Sequence, residues 1–200
     1  MPRATEAPAE GQLQRGRVSA RALLLLAGVA VAVYAIDQGA KYLITTNLEL
    51  GHSIPVLGDL LQFHYVKNSG AAFSLASGFT WILSLVAAGV IVFIGIFAPR
   101  IRSLGWATMF GLVLGGALGN LTDRLFREPG FGTGHVVDFI QVWGFPAIFN
   151  GADIAIVASM GLFILLSLRG VGLNGVRTPM VRTTARPTDD APASGAAHEE

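Results

Sequence analysis

Four aspartates break into the apolar stretches of this chain, and they are the residues best placed to do chemistry. Asp37 closes the first stretch, Asp123 closes the third, Asp153 opens the fourth, and Asp138 lies between the last two. A carboxylate beside hydrocarbon is costly, so each is a functional-site hypothesis by default. Asp138 and Asp153 differ from the other two. Neither has a Lys or Arg within four positions, and both sit among apolar neighbours, in Val136-Val137-Asp138-Phe139-Ile140 and Ala152-Asp153-Ile154. Surroundings of that kind favour the neutral acid. If two such groups meet, like-charge repulsion lets them share one proton. One carboxylate then serves as general base on a water, and the other, protonated, polarises a carbonyl. For Asp153 a capping role has equal weight, because Asn150 followed three residues later by an acid is a helix-start arrangement.

The other polar residues read differently. Asp37 and Lys41 are four apart, acid before base, a favourable spacing on one helix face. They are expected to neutralise each other at the outer interface, with Lys41 able to snorkel, and a structural role is at least as well founded as a catalytic one. Asp123 and Arg124 are neighbours that cannot face each other on a helix, so each needs a partner elsewhere, and a positioning role is expected of both. Asn68, in Asn68-Ser69-Gly70-Ala71-Ala72-Phe73-Ser74, offers donor and acceptor beside small residues. It reads either as a turn or as a ligand contact. Asn120 lies inside the third stretch, where a buried amide wants partners. Ser69 and Ser74 have no arguable base, so a serine nucleophile is a poor reading. His52, His64 and His135 lack ligand spacing, and there is no cysteine. Disulfides and thiolate chemistry are thereby excluded, and no metal is expected.

These side chains need elements to position them. Only 14% of residues are charged, against about a quarter in a soluble domain. Residues 79–98 and 104–122 carry no charge, and 22–36 and 154–168 are shorter runs of the same kind. A spanning helix needs about 20 mostly apolar residues. Four spans are therefore expected, over about 21–44, 79–98, 104–123 and 149–168, the first and last including their polar ends. Of the 14 basic residues, Arg3, Arg15, Arg17, Arg21, Arg100, Arg102, Arg169, Arg177, Arg182 and Arg186 fall on one side, which the positive-inside rule makes cytoplasmic. Both termini are then inside, and residues 45–78 and 124–147 face outward. The first stretch is read as a retained helix, since no clean small-x-small cleavage site follows it. Residues 1–20 and 169–200 are expected to be disordered cytoplasmic tails. Residues 54–57 and 60–66 flank Gly58-Asp59 and predict a hairpin or small sheet, and 135–143 is extended. Gly111, Gly115 and Gly119 share a helix face that another helix can approach closely.

Five segments in order form a recognisable set: Asp37-Gln38-Gly39-Ala40-Lys41; Asn68 to Ser74; Gly115 to Arg124; Val136 to Ile140; and Phe149-Asn150-Gly151-Ala152-Asp153. Across residues 22 to 168 the chain resembles lipoprotein signal peptidase, or signal peptidase II. The resemblance implies an all-α membrane protein: a four-transmembrane-helix bundle with a small extracytoplasmic β-sheet and a helix that lids the site. It implies an intramembrane aspartic endopeptidase that cuts prolipoproteins just before a diacylglyceryl-modified cysteine. Asp138 and Asp153 map onto the family's catalytic pair. Asn68, Asn120, Arg124 and Asn150 map onto residues that bind substrate or order the site, and Asp123 is grouped with them. Asp37 and Lys41 map onto a structural motif. The implied partners are lipidated prolipoproteins and membrane lipids, not nucleic acid, and no metal or organic cofactor is required. Two departures stand out: Gly151, where the family more often has a larger apolar residue, and a long 128–134 loop. The competing readings are a proton-coupled transporter and a non-catalytic scaffold. A transporter needs acids spread through the membrane thickness, whereas all four here lie towards the outward ends.

Overall fold

Each of the four apolar runs folds as a helix. The computed structural model describes residues 18–70 and 80–177. Helix α1 spans Ala20–Asn47, α2 Thr80–Phe97, α3 Leu104–Phe126 and α4 Gly151–Leu168. All four are long and apolar enough to cross a membrane. Ser19 caps α1 through its hydroxyl, which accepts from the Ala22 N–H. A short 3-10 turn, Ala98–Arg100, with Pro99 near its start, separates α2 from α3. Exposed apolar side chains such as Leu24, Val31, Leu85 and Val157 cover the outer faces of the helices, a surface suited to hydrocarbon rather than water.

Helix α3 is the centre of the bundle because its glycines allow close approach on two sides. A Cβ at Gly111 or Gly115 would lie 2.8 or 2.7 Å from a backbone oxygen of α1, that of Leu26 or Ala30. A Cβ at Gly116 would lie 2.7 Å from the Ala152 carbonyl of α4. The stripe of Gly111, Gly115 and Gly119 read from spacing is thus a packing surface towards α1, and Gly116, off that stripe, is the close approach to α4.

At one end of the bundle sits a three-stranded antiparallel sheet ordered β1-β2-β3, with β1 Ser53–Leu57, β2 Leu61–Asn68 and β3 Val136–Val142. The hairpin expected around Gly58 is present, and the extended 135–143 segment supplies the third strand. Gly58 has φ +55°, a conformation glycine adopts without a Cβ penalty. Val66, Lys67 and Asn68 pair with Asp138, Val137 and Val136. Side chains alternate across a strand, and the two faces of β3 have different surroundings. Val137 and Phe139 pack with Tyr65 against Ile44 near the end of α1. Asp138 points the other way, where the Asn68 side chain reaches it.

Helix α1 carries Asp37 and Lys41 within it, as expected of a first span that includes its polar end, and runs on to Asn47. One expectation needs correction. Residues 169–177, expected to begin a disordered tail, form a turn closed by a Val171–Arg177 bridge. The Leu173 carbonyl accepts from the Arg102 and Ser103 N–H groups, and the Val171 carbonyl accepts from the Trp106 indole at 2.8 Å. The turn therefore satisfies donors at the start of α3 that no intrahelical bond can reach. The described residues of the two connections form strands and turns, and the expected lid helix is not tested by them. Residues 71–79 of the first connection, and the tail residues 1–17 and 178–200, lie outside the described residues, as do the Ala71 to Ser74 positions of the Asn68 motif.

Candidate active site

Asp138 arrives on β3 and is 2% exposed. Its Oδ2 accepts from Asn68 Nδ2 at 2.7 Å and its Oδ1 from Asn150 Nδ2 at 2.6 Å. Asp153 stands in the first turn of α4 and takes part in a capping box with Asn150. The Asn150 side chain accepts from the Asp153 N–H at 3.1 Å, and Asp153 Oδ2 accepts from the Asn150 N–H at 3.2 Å. Asn120 of α3 completes the group. Its Nδ2 donates to Asp153 Oδ1 at 2.9 Å, and its Oδ1 accepts from Asn150 Nδ2 at 3.1 Å. Asn150 thus touches both carboxylates. The capping reading of Asp153 is met, and the same side chain also bonds Asn120. The turn reading of Asn68 is met as well: its Oδ1 accepts from the Gly70 N–H at 2.7 Å, while its Nδ2 donates to Asp138.

Burial pushes the Asp138 carboxyl up from the ordinary carboxylate value to about 6. The hydrogen bond from Asn68 opposes the shift, the charge of Asp153 adds to it, and Asn150 and Lys41 pull it back. A carboxylate with a proton affinity near neutrality is suited to acid–base work.

Both aspartates line a cleft of about 570 Å³. Asn68 lines it beside them, and the remaining wall is apolar, including Phe145, Ile148, Phe149, Ile154 and Val157. Sequence reasoning missed this wall, because residues 145–148 lie outside every apolar run and only folding brings them beside α4. Phe149 is held there by backbone bonds to Ile140 of β3 in both directions.

The supporting residues are also placed. Lys41 is fully buried and does not snorkel. Its Nζ lies 2.8 Å from Asp37, 2.8 Å from Asp123 and 3.0 Å from Asn120 Oδ1. Desolvation of a lysine is offset when it meets two carboxylates, and α3 brings the second. Arg124 Nη1 donates to the Asn120 carbonyl at 3.3 Å, and its buried Nε meets no acceptor among the described residues. Two residues escaped the sequence reading. Arg127 bonds Asp123 at 2.6 Å, and Gln38 bonds both Asp37 and the Gly119 carbonyl. The signal for Arg127 was available in the same four-residue, acid-before-base spacing that pairs Asp37 with Lys41. His64 bonds Ser53 and Gln141, and His52 lies by Glu49. Among the described residues no group of three or more His, Asp or Glu is arranged to hold a metal.

Four membrane-length helices with two amide-linked aspartates at one end, on the wall of an apolar cleft, define a class: a multi-pass membrane protein with a paired-aspartate centre. Comparison with known proteins narrows that class. The sequence model of the signal peptidase (SPase) II family matches residues 29–169. A lipoprotein signal peptidase of Leifsonia xyli subsp. xyli is 61% identical over 168 residues, 84% of this chain and 78% of the relative. One from Streptomyces griseus subsp. griseus is 46% identical over 86% of this chain and 85% of its own length. Two solved structures, each described as a bacterial membrane enzyme, superpose with TM-scores of 0.64 and 0.65 at 29% identity. They cover 76% of this chain and 91% and 97% of theirs. The chain belongs to the signal peptidase II family, a family of aspartic proteases that cleave signal peptides from prolipoproteins.

Proposed function

We propose that Asp138 and Asp153 are the catalytic pair of this peptidase. On this reading it removes the signal peptide from prolipoproteins by cutting just before a cysteine that carries a diacylglyceryl group. The observation that carries the reading is the join between polar and apolar parts: two carboxylates tethered by one asparagine open onto a cleft whose other walls suit lipid chains. The peptide backbone meets the carboxylates while the acyl chains remain against Ile148, Phe149, Ile154 and Val157.

In the reaction one carboxylate of the pair takes a proton from a water, whose oxygen attacks the scissile carbonyl carbon. The other carries the shared proton and gives it to the carbonyl oxygen. A neutral tetrahedral diol results. It collapses as the carboxyl that took the water's proton passes it to the amide nitrogen and the other carboxylate takes a proton from the diol, so the cysteine leaves as a free amine, the signal peptide departs as an acid, and the pair again holds one proton. Asn68 and Asn120 hold the two carboxylates in place, and the unfilled Arg124 Nε is a donor for a substrate carbonyl. Asp123 and Asn150 order the site, and Asp37 and Lys41 support it. The positive-inside distribution puts both termini in the cytoplasm of a bacterial cell and the sheet end, with the site, at the outer face of the cytoplasmic membrane.

The test is a mobility-shift cleavage assay on diacylglyceryl-modified prolipoprotein beside its unlipidated form. Native protein is expected to cut the lipidated form. Asp138→Asn and Asp153→Asn are each expected to lose about 10²–10⁴-fold or more while still purifying as folded protein. Cleavage retained by both variants, or equal cleavage of the unlipidated form, would overturn the reading.

A further inference from the structure

The buried charges around Lys41 have more order than charge neutralisation requires. Lys41 Nζ bonds Asp37 on its own helix and Asp123 on α3. Besides Lys41 and their side-chain partners Gln38 and Arg127, each of those carboxylates accepts from a backbone N–H of a further element. Asp37 Oδ1 accepts from Ala152 N at 2.9 Å. Asp123 Oδ2 accepts from Val137 N at 3.2 Å. Ala152 immediately precedes Asp153, and Val137 immediately precedes Asp138. The third Lys41 bond goes to Asn120 Oδ1. That bond leaves the Asn120 amide nitrogen as the atom facing Asp153, where it donates at 2.9 Å.

We propose that Lys41, Asp37 and Asp123 form a two-armed clamp whose arms grip the main chain one residue before each catalytic aspartate and so fix the placement of the pair. In this scheme Lys41 is a positioning residue: it touches neither carboxylate of the pair and acts through Asp37, Asp123 and Asn120. The ion pairs alone would account for stability. They give no reason for both carboxylates to reach the same relative position on two different elements. The arms are fully buried, with Lys41 and Asp37 at 0% and Asp123 at 1% exposure, so water cannot substitute for either one.

The inference rests on the assignment of Asp138 and Asp153 as the catalytic pair, and the experiment keeps the two apart. Steady-state cleavage of lipidated prolipoprotein would be measured on monodisperse Asp37→Asn and Asp37→Leu proteins, with Lys41→Met and the two active-site Asn variants alongside. Both Asp37 substitutions remove the charge facing Lys41, but only Asn keeps an oxygen for the Ala152 N–H. The clamp predicts that Asp37→Asn retains at least about tenfold more kcat than Asp37→Leu, the effect of one hydrogen bond, with KM within about threefold. Lys41→Met should lose about 100-fold in kcat, the cost of a misplaced catalytic group, again with little change in KM. Equal kcat for Asp37→Asn and Asp37→Leu, or native kcat per folded molecule in Lys41→Met, would overturn the clamp. If Lys41→Met does not fold, the Asp37 pair decides alone. Activity surviving in Asp138→Asn and Asp153→Asn would instead overturn the catalytic assignment.

Discussion

A carboxylate held by two amides and shielded from water is pulled in opposite directions, and Asp138 shows which pull wins. Burial raises its proton affinity to about 6, while the Asn68 hydrogen bond favours the ionised form. On the proposed mechanism the pair works with one shared proton, and the raised affinity of Asp138 holds a proton up to about 6. Activity is therefore expected to fall as pH rises through about 6; because the pair is coupled, this limb belongs to the pair as a whole. Replacing Asn68 with Ala removes a donor to the ionised form, so the limb should move to higher pH. A kcat–pH profile of the native protein and Asn68→Ala checks both statements. An unmoved limb, or one moved to lower pH, would contradict the place of Asp138 in the pair.

Among the elements, α3 carries the greatest constraint because it touches α1 and α4 through glycine. At Gly115 an added Cβ would press on the Ala30 carbonyl and Val33 Cβ, both 2.7 Å away. Gly115→Val is expected to cost about 1–3 kcal/mol, seen as a lower unfolding temperature in detergent. Gly161→Ala, where nothing lies within 4 Å, should leave it unchanged. The elements themselves were legible in the chain. Uncharged runs gave four helices, Gly58-Asp59 gave the hairpin, and the acid-before-base pair and the Asn150–Asp153 cap were visible as local spacings. What escaped depends on contacts between distant segments. Lys41 looks like a residue that reaches for the interface until α3 delivers Asp123 and Asn120 to it. The cleft wall at 145–149 is built by pairing with β3, and no local pattern encodes that.

For the whole molecule, the end of the bundle opposite the sheet is closed by residues 169–177, which looked like tail. Trp106 donates to Val171 there and meets Phe163 edge-on at 5.7 Å between ring centroids. A chain ending after Leu168 should unfold several degrees below one ending after Arg177, as expected for a loss of about 1–2 kcal/mol; equal unfolding temperatures would contradict that role. At the sheet end, the alternation of β3 has its own consequence. Val137 and Phe139 belong to the apolar cluster on α1, and Asp138 between them belongs to the cleft. The strand is in effect a reading frame with a period of two. One residue inserted or deleted within it would exchange the two sets, sending the carboxylate into the apolar cluster and a valine to the substrate. Length changes are therefore expected to be tolerated in segments such as 128–134, beyond the strand's phase, and the side of the strand that Asp138 takes is kept by the greasy neighbours on either side of it.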